Sequence, residues 1–290
     1  MTILIPAALR NTCSGDPELG CWLEQVPQLV DELCERWQLN IHAPFDNGEG
    51  SCAWVAPAGR HDGSQAVLKL GMPHMEGEHE IQGLRFWNGA GAAYLFEADE
   101  ARGALLIERC LPGTILRHRP EAEQDLVIAG LLRRLWRTPP APHPFRPLAT
   151  MTAMWADETL QKEAIWPDTG LVRAGLDLFN ELPRTAHHNV LLVTDLHAGN
   201  VLRATREPWL MIDPKPFVGD PAYDTTQHLL NCEQRMLNDP HATIKRFAEL
   251  LDLDTRRVGQ WMFARAAAES YDDWNTNQIE LAHLLRRYAD

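Results

Sequence analysis

The chain has 290 residues, of which 45% are hydrophobic and 23% charged, so it can bury the core of one large domain or two modest ones and is not extensively disordered. Its formal net charge of −13 argues against nucleic acid or an anionic membrane as a partner. The same charge suits a cationic small molecule, although many enzymes are acidic for reasons of solubility alone.

The cysteines and the first residues indicate a cytoplasmic protein. None of the six cysteines forms a C-x-x-C pair, and no histidine cluster completes a zinc pattern, so we expect reduced thiols. The opening residues, MTILIP, lack the basic and long apolar regions of a signal peptide. No apolar run reaches the length of a membrane span.

Apolar residues with helical spacing predict a helical segment within residues 1–40. Asp16 and Pro17 are a suitable N-cap and first-turn pair. Pro27 lies inside the pattern and is predicted to kink or split the helix. We expect this segment to pack against the N-terminal lobe without a chemical role. The positions that define the spacing are Trp22, Leu23, Val26, Leu29, Val30, Leu33 and Trp37.

A glycine-containing turn at residues 45–51 precedes the next strand. The backbone N–H groups of Gly48, Gly50 and Ser51 are candidates for contact with nucleotide phosphates. The same composition is also that of an ordinary turn, and the Gly-Lys-Ser/Thr ending of a Walker loop is missing.

Lys69 lies inside an apolar strand at residues 66–70. An unpaired ammonium in such a strand is costly, so Lys69 must either meet a partner or extend to solvent from an edge strand. A helix predicted at about residues 75–87 follows and offers Glu76, Glu78 and Glu80 as partners.

After residue 87, the sequence predicts two more strands, then a short segment without regular structure, and then mainly helices. We interpret the break at residues 109–113 as the hinge between two lobes, where backbone groups would contact the adenine edge. The strands are predicted at residues 93–96 and 104–108, and the helices at residues 121–136, about 148–165, 169–182, 221–236, 240–251 and 255–289.

Residues 190–216 carry the strongest functional signal. A buried strand is predicted at residues 190–193, and Asp195 and Asn200 follow it in the spacing Asp-x-x-x-x-Asn of the protein-kinase catalytic loop. A second apolar run ends at Asp213. Phosphoryl transfer uses one carboxylate near the attacking hydroxyl, and an amide oxygen with a second carboxylate to hold Mg²⁺. Asp195 with His197 alone would also fit a metal-dependent hydrolase.

The amino-acid sequence from residue 195 to residue 231 resembles that of a known family. DLHAGN at residues 195–200, followed by IDP at residues 212–214, looks like the kinase-like aminoglycoside phosphotransferases. IDPKPFVGDPAYD with the following QHLLN is similar to the branch that contains streptomycin 6-kinases, grouped with hydroxyurea-resistance kinases. One departure is that the family commonly has His-Gly before the catalytic aspartate, where this chain has Val193 and Thr194.

The resemblance implies an α+β, bilobal protein-kinase-like fold. Residues 1–109 would form the N-terminal nucleotide-binding lobe, with a small antiparallel sheet and the N-terminal helical extension. Residues 110–290 would form a mainly helical C-terminal lobe with the catalytic loop and the acceptor pocket.

The same resemblance assigns roles to individual residues, with ATP and Mg²⁺ as cofactors. Asp195 would be the catalytic base, and Asn200 and Asp213 the metal ligands. Lys69 would hold the α- and β-phosphates, and the family pattern selects Glu80 rather than Glu76 as its partner.

The acceptor that the resemblance implies is an aminoglycoside, streptomycin at its 6-hydroxyl, with antibiotic resistance as the result. Asp224, Glu269 and Asp272 are candidates for holding its cationic groups through charge-assisted hydrogen bonds, although each also fits a structural or solvated role. Hydroxyurea, another small metabolite, and a pseudokinase that only binds nucleotide are alternatives. The complete set of Lys, Glu, Asp, Asn and Asp argues against the pseudokinase.

Overall fold

The computed structural model describes residues 3–46, 52–73, 77–268 and 274–289. The chain divides into two compact units, the first comprising Met1–Gly113 and Arg203–Leu210, the second Thr114–Leu202 and Met211–Asp290. The change of unit after Gly113 falls at the end of the segment interpreted as a hinge. The segment Arg203–Leu210 belongs to the first unit, whereas the division based on the sequence placed it in the C-terminal lobe, residues 110–290.

The first unit contains an antiparallel sheet whose five described strands have the order β1-β2-β3-β5-β4. The strand β3 pairs with β2 on one side and β5 on the other, so Lys69 lies opposite Val55 and Leu105. Lys69 is therefore on an interior strand, which excludes the edge-strand alternative. The strands are Leu39–Ile41 (β1), Ala53–Arg60 (β2), Gln65–Gly71 (β3), Leu95–Asp99 (β4) and Ala104–Glu108 (β5).

The α-helices among the described residues of this unit are Ala7–Thr12 (α1), Pro17–Trp37 (α2) and Glu80–Trp87 (α3). The α2 helix begins as predicted, because the Asp16 side chain accepts hydrogen bonds from the first-turn N–H groups. Pro27 does not split it. The buried face of α2 packs into one core cluster with the sheet, and this burial outweighs the hydrogen bond that a proline removes.

The segment Arg203–Leu210 is the tip of a hairpin, and Arg206 joins it by hydrogen bonds to the rest of the first unit. Its guanidinium donates to the carboxylate of Glu108 at 2.8 Å and to the backbone oxygens of Gly89 at 2.7 Å and Ala92 at 2.8 Å. Several charge-assisted hydrogen bonds from one planar group fix orientation as well as distance. The connection between Asn200 and Asp213 is thus held at its tip.

The second unit is mainly helical. The helix α10 is almost entirely buried and packs against α6, α7, α9 and α11. The helices of this unit are Glu121–Leu135 (α4), Leu148–Gln161 (α5), Thr169–Glu181 (α6), Pro221–Leu230 (α7), Glu233–Asn238 (α8), Pro240–Leu251 (α9), Thr255–Ala268 (α10) and Thr276–Leu285 (α11).

Two helix predictions were too long. The single helix predicted at about 221–236 is two helices, α7 and α8. The helix predicted at about 255–289 is α10 followed by a separate α11, whose start is set by Asn275, since its side chain accepts a hydrogen bond from the N–H of Gln278.

The α7 helix is anchored at its start by Asp220. As predicted, Asp220 is the N-cap and Pro221 the first helical residue. The Asp220 carboxylate also accepts from Trp261 Nε1 at 2.8 Å and Arg257 Nε at 2.6 Å, both on α10. This buried anchor fixes the helix that packs beside the loop carrying Asp195.

Short strands flank that loop. Val190–Leu192 (β6) pairs antiparallel with Phe217–Gly219 (β9), and Val201–Arg203 (β7) pairs with Trp209–Met211 (β8). Across the described ranges, none of the helices combines the length and apolar character needed to cross a membrane.

Candidate active site

The loop that carries Asp195 begins where β6 ends. Thr194 has a backbone φ of +55°, in the left-handed region that β-branched residues rarely adopt. This is the position at which the resembling family commonly has glycine. The Thr194 hydroxyl donates to the backbone oxygen of Lys215 at 2.6 Å, and its N–H donates to Asp224 at 2.7 Å. These contacts hold a conformation whose strain is roughly 1–3 kcal/mol.

Asp224 supports the loop through hydrogen bonds to its backbone. It is fully buried on α7, and its carboxylate accepts from the N–H groups of Val193 at 2.9 Å and Thr194 at 2.7 Å and from Trp136 Nε1 at 2.9 Å. Burial raises the pKa of Asp224 to about 6, against the lowering effect of these donors. This position does not fit the predicted contact with an acceptor. We assign Asp224 to the support of the loop instead.

Asp224→Asn is expected to remove a component of the pH dependence of stability. Because the folded pKa of about 6 lies above the ordinary value of 3.8, the folded protein favours the protonated carboxyl. The resulting stabilisation is complete below about pH 4, is lost as the pH rises through 6, and amounts to about 3 kcal/mol.

Urea unfolding of both proteins at pH 4.5, 5.5 and 7 measures this component. The free energy of unfolding of the wild type should decrease more steeply with pH than that of Asp224→Asn. Parallel pH dependences of the two proteins would contradict the raised pKa of Asp224.

The Asp195 carboxylate is contacted on both oxygens. Gln227 on α7 donates its amide N–H to Oδ1 at 2.9 Å. Oδ2 lies 3.3 Å from the amide nitrogen of Asn200 and 3.3 Å from Lys215 Nζ. With 17% of its side chain exposed, this carboxylate is both oriented and accessible, as a general base for a hydroxyl must be.

His197 lies beside Asp195. Its Nδ1 lies 3.0 Å from the N–H of Gly199 and 3.0 Å from the guanidinium of Arg117. Because both of these groups are donors, Nδ1 is an acceptor and the ring proton is on Nε2, which is 3.8 Å from Asp195 Oδ1. Burial lowers the pKa of His197, and the charge of Arg117 acts in the same direction, opposed by Asp195.

Asn200 and Asp213 lie on adjoining segments. The Asn200 amide nitrogen donates to the backbone oxygen of Asp195 at 3.0 Å, which leaves Oδ1 of that amide as the ligand atom. Ile212 N–H donates to the backbone oxygen of Asn200 at 2.9 Å and so brings Asp213 beside it. Amide and carboxylate oxygens are ligands that Mg²⁺ prefers, so this donor set fits the predicted metal.

Lys69 and Glu80 form a buried ion pair within the first unit. They are 8% and 6% exposed, and Lys69 Nζ is 2.7 Å from both carboxylate oxygens of Glu80. Glu80 is the first residue of α3, where a carboxylate also suits the helix dipole. The structure thus brings together the two residues that the resemblance paired. The competing Glu76 lies outside the described residues.

Several other predicted site residues also lie outside the described ranges. They are the turn residues Gly48, Gly50 and Ser51 and the acceptor candidates Glu269 and Asp272.

A second cluster of potential metal ligands is an ion-pair network. Within the described residues, one group of three such side chains is close enough to share a cation: Asp125, His228 and Cys232. The guanidinium of Arg235 contacts both Asp125 oxygens at 2.7 and 2.9 Å. Burial alone would raise the pKa of Asp125, but hydrogen bonds from His228 and Arg235 lower it to about 2. Since Arg235 already neutralises this carboxylate, we interpret the cluster as structural.

The described residues give the metal-dependent hydrolase alternative no support. No group of three ligating side chains in the described ranges includes Asp195 or His197. A hydrolytic metal is ordinarily held by three protein ligands.

Gln227 and Lys215 were not identified from the sequence as site residues. Gln227 follows Asp224 by three positions on α7, so both lie on the face toward the catalytic loop. That helical spacing was the available signal for Gln227. Lys215 is the middle residue of the Pro-Lys-Pro run that follows Asp213. Nothing in that pattern indicates a contact with Asp195.

The chain matches known proteins along most of its length. The family model described as aminoglycoside/hydroxyurea antibiotic resistance kinase matches residues 36–276. Streptomycin 6-kinases of Streptomyces glaucescens and Streptomyces griseus are 34% and 36% identical to the chain, covering 90% and 91% of it and 87% and 88% of their own lengths. A hydroxyurea phosphotransferase of Kitasatospora aureofaciens is 38% identical, covering 92% of this chain and 78% of its own.

Solved structures with the same fold are more distant in sequence. A choline kinase from Streptococcus pneumoniae superposes with a TM-score of 0.61 at 13% identity, covering 91% of this chain and 99% of its own. A type I macrolide 2'-phosphotransferase superposes with a TM-score of 0.57 at 16% identity, covering 91% and 96%. The predicted kinase-like α+β fold, with an antiparallel sheet in one unit and mainly helices in the other, is confirmed. On the sequence matches, the chain belongs to the aminoglycoside/hydroxyurea antibiotic resistance kinase family.

Proposed function

We propose that this chain transfers the γ-phosphoryl group of ATP to a hydroxyl of an aminoglycoside, with streptomycin at its 6-hydroxyl as the acceptor, and so confers resistance. The observation that carries the proposal is the grouping of Asp195, Asn200 and Asp213 around one loop, in a chain similar to two streptomycin 6-kinases. A cytoplasmic location, where Mg-ATP is available, is part of the proposal.

Asp195 acts as the base in this proposal. Its oriented carboxylate accepts the proton of the acceptor hydroxyl. Gln227 donates a hydrogen bond to Oδ1, so Oδ2 is the oxygen that takes the proton. Asn200 and Asp213 would hold Mg²⁺, which neutralises phosphate charge when bound. Positioning and electrostatic stabilisation supply most of the rate, because phosphoryl transfer needs little covalent help.

Lys69 holds the α- and β-phosphates. The interior strand β3 fixes its backbone and Glu80 fixes its ammonium, so the cation is preorganised. Gly48, Gly50 and Ser51 remain our candidates for backbone contacts with the phosphates. Glu269 and Asp272 remain our candidates for the cationic groups of the acceptor, in agreement with the net charge of −13.

A coupled ADP-release assay with Mg-ATP tests the function. Streptomycin should give saturable turnover, and the product should carry one phosphate on the 6-hydroxyl by mass spectrometry and NMR. Kanamycin, a 2-deoxystreptamine aminoglycoside, serves as the mismatched acceptor and should give much slower turnover. No turnover with streptomycin, while Mg-ATP still binds, would overturn the acceptor assignment.

Hydroxyurea is the second candidate acceptor, favoured by the 38% identity with a hydroxyurea phosphotransferase. Its N-hydroxyl group offers the same kind of nucleophile to Asp195. Turnover with hydroxyurea at a higher kcat/KM than with streptomycin would reverse our preference between the two.

A further inference from the structure

A lysine lies beside the proposed base. Lys215 Nζ is 3.3 Å from Asp195 Oδ2, and 25% of the lysine side chain is exposed. None of the predicted roles uses this cation. We propose that Lys215 is a catalytic residue whose ammonium binds the phosphoryl group during its transfer. This inference rests on the proposed function.

The backbone of Lys215 is fixed to the catalytic loop. Its N–H donates to the backbone oxygen of Val193 at 2.9 Å, and its own carbonyl accepts from the Thr194 hydroxyl at 2.6 Å. Pro214 and Pro216 flank it, and each proline restricts its own φ and the conformation of the residue before it. The start of the side chain is therefore set relative to Asp195, and a flexible four-carbon stem joins it to the ammonium.

The chemistry of the step calls for a cation at this place. Negative charge spreads over the equatorial oxygens of the phosphoryl group during transfer, and a cation within reach stabilises it. An ammonium that stayed on Oδ2 would occupy the oxygen that the hydroxyl approaches. Lys215 therefore moves to the more highly charged phosphoryl oxygens and leaves Oδ2 to the acceptor.

The proposed step is balanced in atoms and charge. The acceptor oxygen forms a bond to the γ-phosphorus while the bond from that phosphorus to the β–γ bridging oxygen breaks. The hydroxyl proton passes to Asp195 Oδ2, and ADP leaves with the bonding electron pair. Lys215 keeps its proton throughout and acts only through its charge and hydrogen bonds.

Lys215→Met tests the role because methionine has an unbranched side chain only one atom shorter than that of lysine and carries no charge. Turnover with streptomycin should decrease about 10²–10³-fold at saturating substrates. Binding of Mg-ADP, measured by calorimetry, should change by less than about threefold, whereas the added affinity that aluminium fluoride gives to Mg-ADP should fall about 100-fold. Lys215→Arg keeps the charge and should retain part of the turnover.

Two controls separate catalysis from structure. Lys245→Met on α9 removes a lysine that is 67% exposed and 3.8 Å from Glu249, and should leave every readout unchanged. Thermal unfolding of Lys215→Met should stay close to that of the wild type, because the hydrogen bonds to Val193 and Thr194 are made by the main chain of residue 215 and the ion pair with Asp195 is partly exposed.

The outcomes distinguish this inference from the function on which it rests. Active wild-type enzyme with unchanged aluminium fluoride affinity and turnover in Lys215→Met would overturn the role of Lys215 and leave the function standing. A wild type that neither binds Mg-ADP nor phosphorylates any acceptor would overturn both.

Discussion

Asp195→Asn is expected to reduce kcat for phosphoryl transfer about 10²–10⁴-fold, the range for loss of a positioned general base. Asparagine has the shape of aspartate, so the loop should keep its conformation. Its single carbonyl oxygen can satisfy Gln227 or the pair formed by Asn200 and Lys215, but not both sets of donors. Since this side chain is partly exposed, water can meet the remaining donor and the loss of stability should be small.

Turnover and nucleotide binding should separate in this variant. Steady-state rates with streptomycin measure kcat, and calorimetry with Mg-ADP should give a dissociation constant within about threefold of the wild type. Asp157→Asn on α5 is the matched control, because Asp157 is exposed and lies far along the chain from the loop. Near-normal turnover in Asp195→Asn would remove Asp195 from the role of base.

The features predicted best from the sequence depend on neighbouring residues. An ammonium inside an apolar strand requires a partner, and the structure supplies Glu80, eleven positions further along the chain. The N-caps at Asp16 and Asp220 follow from side chains that can accept from the next turn. The loop that carries Asp195 and Asn200 is a short polar run after an apolar one, so its place after a buried strand could be predicted, and the structure has it directly after β6. Its chemistry stays a prediction.

The remainder of the site depends on contacts that local pattern does not encode. Asp224 and Gln227 reach the loop from about thirty positions further along the chain, so their roles appear only when α7 is packed beneath it. Sequence pattern alone therefore offers Asp224 as a ligand for an acceptor, whereas the structure buries it. The left-handed Thr194 is tolerated only because those tertiary hydrogen bonds exist. A β-branched residue at that position gives no local signal of its conformation.

Asp213→Asn is expected to weaken Mg²⁺-dependent nucleotide binding and to lower kcat about 100-fold or more, because a charged metal ligand becomes neutral. Asparagine is the better replacement than alanine here. Asp213 has a backbone φ of +55°, a conformation that asparagine adopts far more readily than alanine. Alanine would add backbone strain to the loss of the ligand, and the two effects would not be separable.

The Mg²⁺ concentration that gives half-maximal turnover measures the effect. It should rise at least tenfold in Asp213→Asn, and calorimetry should show that the affinity for ADP without metal is nearly unchanged. Asp177→Asn, at an exposed position on α6, is the control and should behave as the wild type. An unchanged Mg²⁺ dependence in Asp213→Asn would assign the metal to other ligands. If the Mg²⁺ concentration for half-maximal turnover rises in Asp213→Asn but stays normal in Asp195→Asn, the two carboxylates have separate roles. Asp213 then binds the metal and Asp195 accepts the proton.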